Sequence, residues 1–210
     1  MSFDGIVTRA LTDEFNSNYI GSRVDKIYQT EKDEIMINMR SKDASFKVLV
    51  SASSNNPRFY VSKVSKENPT EAPLFSMILR KNLSGSKLVK VEQFGFDRAA
   101  QFVFKGYNEF HEEALYYLVV EIMGKYSNII LCNEDHKIID AIKRVSTIMS
   151  SKREIEPGLI YERPPVFDRV SPVSIDEDGL REMMKENAEL EIRDFLMRSF
   201  LGLSTEIANK

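Results

Sequence analysis

Two strand-like runs between residues 94 and 128 constrain the fold more than any other part of the chain. In the second run, residues 115–122, apolar side chains occupy both faces of an extended chain. This pattern is typical of a β-strand that is covered on both faces. The first run, residues 94–104, alternates instead, with aromatic or small apolar side chains at every second position apart from one charge.

Both runs carry charge where a buried strand would not place it. Arg98 falls on the apolar face of the first run, so either its side chain points toward a core or the chain bulges at Asp97–Arg98 and redirects it. The second run ends in Glu121, and a carboxylate that ends a buried strand requires a partner to stay charged. These charges indicate either a structural ion pair or a functional site.

Composition places the chain in an ordinary class and excludes several others. With 210 residues, 42% of them hydrophobic and 29% charged, it has the profile of a soluble globular domain, alone or with a small attachment. No run approaches the roughly 18 apolar residues of a membrane span, and no secretory signal is visible at the start. We therefore expect a cytoplasmic protein that does not enter a membrane. The net charge of −3 does not by itself indicate nucleic-acid binding.

The remaining pattern predicts an α+β fold. Short strands at regular spacing favour a sandwich or barrel-like sheet. Besides the two runs above, the predicted strands are residues 23–28, 34–39, 46–50, 58–61, 87–92, 128–133 and 138–142. The predicted helices are residues 3–15 with Ser2 as N-cap, 74–83, an acidic helix at 174–187 capped by Ser174, and 190–201. Residues 153–173 are rich in proline and charge, and we interpret them as a linker that packs along the sheet.

Familiar catalytic and metal-binding motifs are missing from the sequence. The glycines are scattered, so they predict no phosphate-binding loop, and no Gly-x-Ser-x-Gly nucleophile motif occurs. His111 and His136 fall in predicted turns that we expect to face solvent, and neither has a metal-ligand spacing to Cys132. Cys132 lies in an apolar run and is expected to be a buried core thiol. The sequence thus predicts neither a metal nor a cofactor.

Six segments, taken in order, resemble the NFACT-N domain. This is the amino-terminal domain of the RqcH and NEMF family of ribosome-associated quality control factors, which were long labelled fibronectin-binding protein A-like. The segments are residues 2–7, 23–29, 73–85, 93–98, 121–131 and 157–161. The resemblance implies an NFACT-N domain over residues 1–172 and the truncated beginning of a helix-hairpin-helix domain over 173–210.

The resemblance also implies a fold and the absence of one enzymatic activity. The expected fold is a β-sandwich with flanking helices, similar to the amino-terminal domain of formamidopyrimidine-DNA glycosylases. Those enzymes use an amino-terminal proline as nucleophile, whereas this chain has Ser2 at that position. We therefore expect no glycosylase activity, and a binding module in place of an enzyme.

The function implied by the family is RNA binding. Its members engage tRNA, especially alanyl-tRNA, and the obstructed 50S subunit that carries peptidyl-tRNA, and they support carboxyl-terminal alanine tailing of stalled nascent chains. The family segments that engage tRNA match Asp97 and Arg98, and Glu121, Ile122 and Met123. We expect Arg98, oriented by Asp97, to donate to a phosphate or a base edge, and Glu121 to accept from a base or to hold Arg98.

Five further cations are candidates for contacts with RNA phosphates. They are Arg80, Lys81, Lys125, Lys143 and Arg144. A second hypothesis, which the older family label favours, is a surface adhesin that binds fibronectin or fibrinogen. The lack of a visible secretory signal or anchor argues against it.

Overall fold

A computed structural model describes residues 3–64, 66–67, 69–149, 153–164 and 169–210. Within these residues the chain forms one antiparallel sheet of nine strands with helices packed against it, which confirms the α+β class. The order of strands across the sheet is β4-β3-β2-β1-β5-β6-β7-β8-β9. Neighbours in the sheet are therefore neighbours in sequence everywhere except at the pairing of β1 with β5.

The elements follow the predicted ones closely outside residues 94–98. The strands are β1 (Arg23–Glu31), β2 (Glu34–Arg40), β3 (Ser45–Ser51), β4 (Arg58–Ser62), β5 (Lys87–Gln93), β6 (Ala99–Tyr107), β7 (Glu113–Glu121), β8 (Asn128–Cys132) and β9 (Ile138–Ala141). The helices are α1 (Gly5–Asn18), α2 (Leu74–Leu83), α3 (Glu177–Glu186), α4 (Ile192–Ser199) and α5 (Thr205–Ala208). No helix in the described part of the chain is long and apolar enough to span a bilayer.

Two predicted helix caps were wrong. The Asp4 carboxylate caps α1 by accepting from the backbone N–H groups of Ile6 and Val7 at 3.0 Å each, whereas Ser2 lies outside the described residues. At α3 the Asp176 side chain caps the helix, because α3 begins later than predicted and Ser174 is too far upstream. In both cases an aspartate directly before the first turn satisfies donors that the helix itself leaves unpaired.

The main core lies between the two halves of the sheet. Apolar side chains of β1–β4 face those of β5–β8, and α1 and α2 add Phe15, Leu79 and Leu83 to the same cluster. The rings of Phe15 and Phe59 pack edge-on against Phe102, with centroids 5.1 and 5.4 Å away. The halves therefore pack as in the expected sandwich, although a short pairing at the start of β1 and β5 joins them into one sheet.

A second apolar cluster covers the outer face of β6–β9. The Pro-rich segment that follows β9 supplies Ile155 and Tyr161 to it, as the linker interpretation predicts. Backbone hydrogen bonds tie this segment down, including the reciprocal pair between Val145 and Ile155 at 2.9 and 2.8 Å. Strand β7 is consequently buried on both faces from Leu118 to Glu121, whereas Leu115 and Tyr117, which the apolar run also predicts to be covered, are half-buried.

The carboxyl-terminal part returns to the start of the chain. The Gly5 amide donates to the Gly202 carbonyl at 2.6 Å, and the Ser204 hydroxyl donates to Asp4 at 2.8 Å. Residues 200–204 therefore pack on the first turn of α1. The helix-hairpin-helix character of residues 173–210, and the boundary at 172, stay predictions.

Candidate nucleic-acid interface

Residues 94–98 form a turn, so the strand does not run unbroken from 94 to 104 and Arg98 is redirected, as the second of the two alternatives expects. The Phe94 amide donates to the Ala99 carbonyl at 2.9 Å and the Asp97 amide donates to the Phe94 carbonyl at 3.0 Å. Gly95 has a φ of +59°, which an extended strand does not contain and which glycine adopts without strain. The turn joins β5 to β6 and places Arg98 outside the core.

Asp97 and Arg98 occupy the exposed end of this turn. The Asp97 carboxylate accepts the Arg98 backbone N–H at 2.7 Å and is half-buried. The Arg98 side chain is exposed and makes no hydrogen bond or ion pair with any residue that the structure describes. Its guanidinium therefore has donors available for a ligand.

Gln93 and two glycines hold the turn in place. The Gln93 side chain donates to the carbonyls of Gly5 and Asp97 at 2.9 and 2.8 Å. The Phe96 carbonyl lies against two glycines, so that a Cβ on Gly5 would be 2.3 Å from it and a Cβ on Gly202 only 1.9 Å. Both positions accept glycine alone, and the segment after α4 therefore helps to fix the turn.

Glu121 faces the second apolar cluster and is 1% exposed. Its carboxylate accepts from Arg153 Nη1 at 3.1 Å and Nη2 at 2.6 Å, and from the Tyr161 hydroxyl at 2.8 Å. The expectation that Glu121 holds Arg98 was therefore wrong. The Glu121 side chain is buried, and its partner is Arg153. A buried carboxylate with a bidentate arginine is the arrangement that makes burial of its charge tolerable.

The surroundings of Tyr161 and Arg153 keep both side chains protonated. Burial and the adjacent Glu121 carboxylate raise the pKa of Tyr161 above its ordinary value, so the phenol stays a neutral donor. Burial opposes the charged form of Arg153, but the hydrogen bonds and charge of Glu121 outweigh it and raise its pKa. Glu121 thus accepts from two permanent donors.

The backbone after Glu121 supports the turn. Glu121 pairs with Ala99 across the sheet, and the Ile122 amide donates to the Arg98 carbonyl at 2.8 Å. The Ile122 side chain is 2% exposed in the main core, and Met123 is half-buried against the second cluster. Of the five predicted tRNA contacts, Asp97, Arg98 and part of Met123 reach the surface.

Two of the five predicted phosphate contacts lie on α2, away from the turn. Arg80 donates to the Ile27 carbonyl at 2.6 Å and lies 5.4 Å from the ring centroid of Tyr28. Lys81 forms an ion pair with Glu109, which is in the hairpin between β6 and β7 at the far end of β6 from the turn. The structure does not bring these two side chains to Arg98.

The other three predicted phosphate contacts lie at the same end of the sheet as Glu121. They are Lys125, Lys143 and Arg144. Lys143 donates to the Ala52 carbonyl at 2.6 Å, and Arg144 forms a bidentate pair with Asp140 at 2.8 and 3.1 Å. Lys125 is exposed in a short turn that follows β7, with its Nζ 4.9 Å from the ring of Tyr126. Of these three candidates, Lys125 therefore has the fewest polar contacts with the described part of the protein.

Sequence reasoning missed three arginines near the turn. Arg153 is the counter-ion of Glu121, while Arg9 and Arg163 lie on the rings of Phe96 and Phe94. All three reach the turn from distant parts of the chain, so no local spacing marks them. Of the remaining predictions, Cys132 is buried and His111 and His136 are exposed in turns, as expected. Among the described residues no His, Cys, Asp and Glu side chains cluster as metal ligands.

Comparison with known proteins places this fold in a family. The sequence matches the family described as NFACT N-terminal and middle domains over residues 4–210. The chain belongs to the NFACT-N family. The NFACT-N chain is 38% identical to the Rqc2 homologue RqcH of Bacillus subtilis and 37% identical to RqcH of Streptococcus suis, over all of its own length in both cases. It spans 37% and 38% of those two relatives.

A more distant relative and two solved structures are also similar to this chain. The human ribosome quality control complex subunit NEMF is 26% identical over 67% of this chain and 12% of that protein. The crystal structure of the amino-terminal domain of fibronectin-binding protein PavA from Streptococcus pneumoniae superposes with a TM-score of 0.92 at 32% identity, covering 99% of this chain and 77% of that one. The amino-terminal part of the fibronectin/fibrinogen-binding protein of Streptococcus suis gives 0.91 at 36% identity, with the same coverage.

Proposed function

We propose that the NFACT-N chain is the RNA-binding module of a ribosome-associated quality control factor. In this proposal it binds tRNA, alanyl-tRNA in particular, at the 50S subunit obstructed by peptidyl-tRNA. The bound tRNA then serves carboxyl-terminal alanine tailing of the stalled nascent chain. The RqcH and NEMF relatives support the ribosomal setting.

One observation carries the choice of site: Arg98 is exposed on a fixed turn and has no partner among the described residues. A guanidinium in this position can donate two parallel N–H groups to a phosphate or to a guanine edge. Structured RNA is recognised through backbone contacts and splayed bases, so a small rigid contact suffices. Asp97 shapes the turn by accepting the Arg98 amide.

Glu121, Ile122 and Met123 take a supporting role in this proposal. The Glu121 carboxylate is sealed beneath Tyr161 and paired with Arg153, so it has no path to a nucleotide. The Ile122 amide instead holds the Arg98 carbonyl, and the segment thereby sets the position of the turn. The module contributes binding and orientation, and bond formation is left to the ribosome.

The test is recovery of tRNA with affinity-tagged protein isolated from its own cells. We expect Asp97→Ala and Arg98→Ala to reduce the tRNA recovered per protein, and to reduce alanine addition to stalled chains. Arg181→Ala is the matched control, because this exposed arginine lies on α3 and pairs with Glu177. Undiminished tRNA in the Arg98 variant would refute the assignment.

A second candidate function is binding of fibronectin or fibrinogen at the cell surface. The observation that favours it is the similarity to proteins described as binding these ligands. Cell fractionation separates the two functions: sedimentation with 50S particles supports the first, and exclusive recovery at the surface supports the second. Binding of purified fibronectin by wild type and Arg98→Ala then shows whether the same turn is used.

A further inference from the structure

Three arginines from distant parts of the chain meet at the turn formed by residues 94–98. They are Arg9 of α1, Arg98 of the turn and Arg163 of the Pro-rich segment, here called the arginine cluster. We propose that the arginine cluster binds neighbouring phosphates of one RNA backbone. The inference rests on the proposed function and adds the two residues, Arg9 and Arg163, that extend the contact beyond Arg98.

Arg163 is held on an aromatic face. Its guanidinium carbon lies 4.3 Å from the centroid of Phe94, and the Phe94 ring in turn packs against Tyr161 with centroids 6.3 Å apart. A cation over a ring face is attracted by the ring's negative quadrupole, which restrains the guanidinium without using its N–H donors. Arg163 is exposed and forms no hydrogen bond or ion pair with the described residues. Its donors therefore point to solvent.

Arg9 contacts the turn from helix α1. Its Nη2 donates to the Gly95 carbonyl at 3.3 Å, and its guanidinium carbon lies 6.0 Å from the centroid of Phe96. The Arg9 Nε is buried and has no hydrogen-bond partner among the described residues. Because Arg9 stands on α1, whose first turn packs against Phe96 and Gly202, its position is tied to that of the turn.

The two aromatic rings beneath Arg9 and Arg163 belong to one short turn. Phe94 and Phe96 are two residues apart, so their Cα atoms are separated by at most about 7 Å. Arg9 and Arg163 therefore rest on rings of the same short turn that carries the exposed Arg98. Guanidinium groups present a planar fork of donors that matches phosphate oxygens, which favours arginine over lysine at such a site.

The local charge also favours an anion. Two carboxylates interact with this region: Asp97, which accepts the Arg98 amide, and Glu92, which pairs with Lys90 and whose pKa the charge of Arg163 also helps to lower. Arg153 adds no net charge because Glu121 neutralises it. The three arginines outnumber these two carboxylates, on a chain whose net charge is −3. An RNA backbone, with one charge per nucleotide, is the anion that the proposed function supplies to this face.

The test is the salt dependence of tRNA affinity, measured on affinity-tagged protein isolated from its own cells and stripped of bound RNA. The variants Arg163→Gln, Arg9→Gln and Arg98→Gln each remove one charge, and Arg181→Gln on α3 is the control. Each lost phosphate contact lowers the slope of log affinity against log salt by about 0.7 to 0.9. We expect that decrease for Arg163→Gln and Arg98→Gln, and for Arg9→Gln if thermal unfolding shows that it folds. Arg163→Lys restores part of the slope.

The outcomes separate this inference from the proposed function. A decrease for Arg98→Gln with an unchanged slope for Arg163→Gln overturns the arginine cluster and leaves the tRNA assignment standing. Unchanged slopes for all three variants overturn both. Weaker binding of Arg163→Gln to an acidic protein, without any change toward tRNA, would assign the cluster to an acidic protein surface and likewise overturn the inference.

Discussion

Arg98 and Glu121 occupy similar positions in the sequence, but their side chains have opposite environments in the structure. Each interrupts an apolar run, and their backbones are neighbours, since Ala99 pairs with Glu121. Arg98 is exposed on a turn without a partner among the described residues, whereas Glu121 is 1% exposed with two donors on its carboxylate. A charge at a turn is available to a ligand, while a charge at the end of a buried strand is committed to the fold.

The physical origin of the difference is the cost of desolvation. A carboxylate removed from water must recover its hydration energy from nearby donors, which Arg153 and Tyr161 supply. An exposed guanidinium keeps its hydration and needs no such partner, so its position is set by the backbone alone. We therefore assign stability to Glu121 and binding to Arg98, and variants of these and neighbouring residues test that division.

Replacing Glu121 with alanine has the largest expected effect. The change removes the carboxylate from a largely buried ion pair with Arg153, which costs about 3–5 kcal/mol of unfolding free energy. Glu121→Gln, which keeps the shape and one acceptor, should lose less. Urea unfolding of the 210-residue chain measures both. A loss below about 1 kcal/mol for the alanine variant would show that the ion pair is not structural.

Replacing Gly202 with alanine comes second. The new Cβ would meet the Phe96 carbonyl at 1.9 Å, and the backbone φ is +70°, so both the turn and the segment after α4 must shift. We expect a loss of about 2 kcal/mol or more. Gly85→Ala is the control, because its φ of +75° carries the same conformational strain with open space around it. Equal losses in the two variants would show that residues 200–204 do not hold the turn.

The ionisation of the Cys132 thiol tests whether the second apolar cluster is buried. Burial, assisted by the Glu121 carboxylate, raises the pKa of Cys132 to about 12 from 9.0. The unfolded thiol loses its proton first, so its contribution to folding stability is constant below about pH 9 and falls between about pH 9 and 12. We expect native Cys132 to resist alkylation at pH 9 until the chain is unfolded. Rapid native alkylation would contradict the burial.

Replacing Arg98 with glutamine has the smallest expected effect on stability. The side chain contacts no described partner, so the unfolding free energy should change by no more than about 0.5 kcal/mol. The same variant should nevertheless lose tRNA. A large loss of stability would place Arg98 with Glu121 as a structural charge and remove the contrast between them.

The sequence predicted local structure well and long-range partners poorly. The regular strands, the bounds of α2 and the double-sided burial of β7 follow from periodicity, which each segment carries in itself. The redirection of Arg98 was only one of two alternatives because Phe94 and Phe96 mimic strand alternation, and only the positive φ of Gly95 breaks it. Arg153 was missed because it lies 32 residues from Glu121, in a segment with no periodic signal. Ion pairs of this kind are fixed by tertiary packing.

The most direct test of the account compares the salt dependence of tRNA affinity for Arg98→Gln and Glu121→Gln under conditions in which both are fully folded. We expect Arg98→Gln to lose about one phosphate contact, a decrease of about 0.7 to 0.9 in slope, while Glu121→Gln keeps the wild-type slope. The reverse result, a reduced slope for folded Glu121→Gln and an unchanged slope for Arg98→Gln, would contradict it.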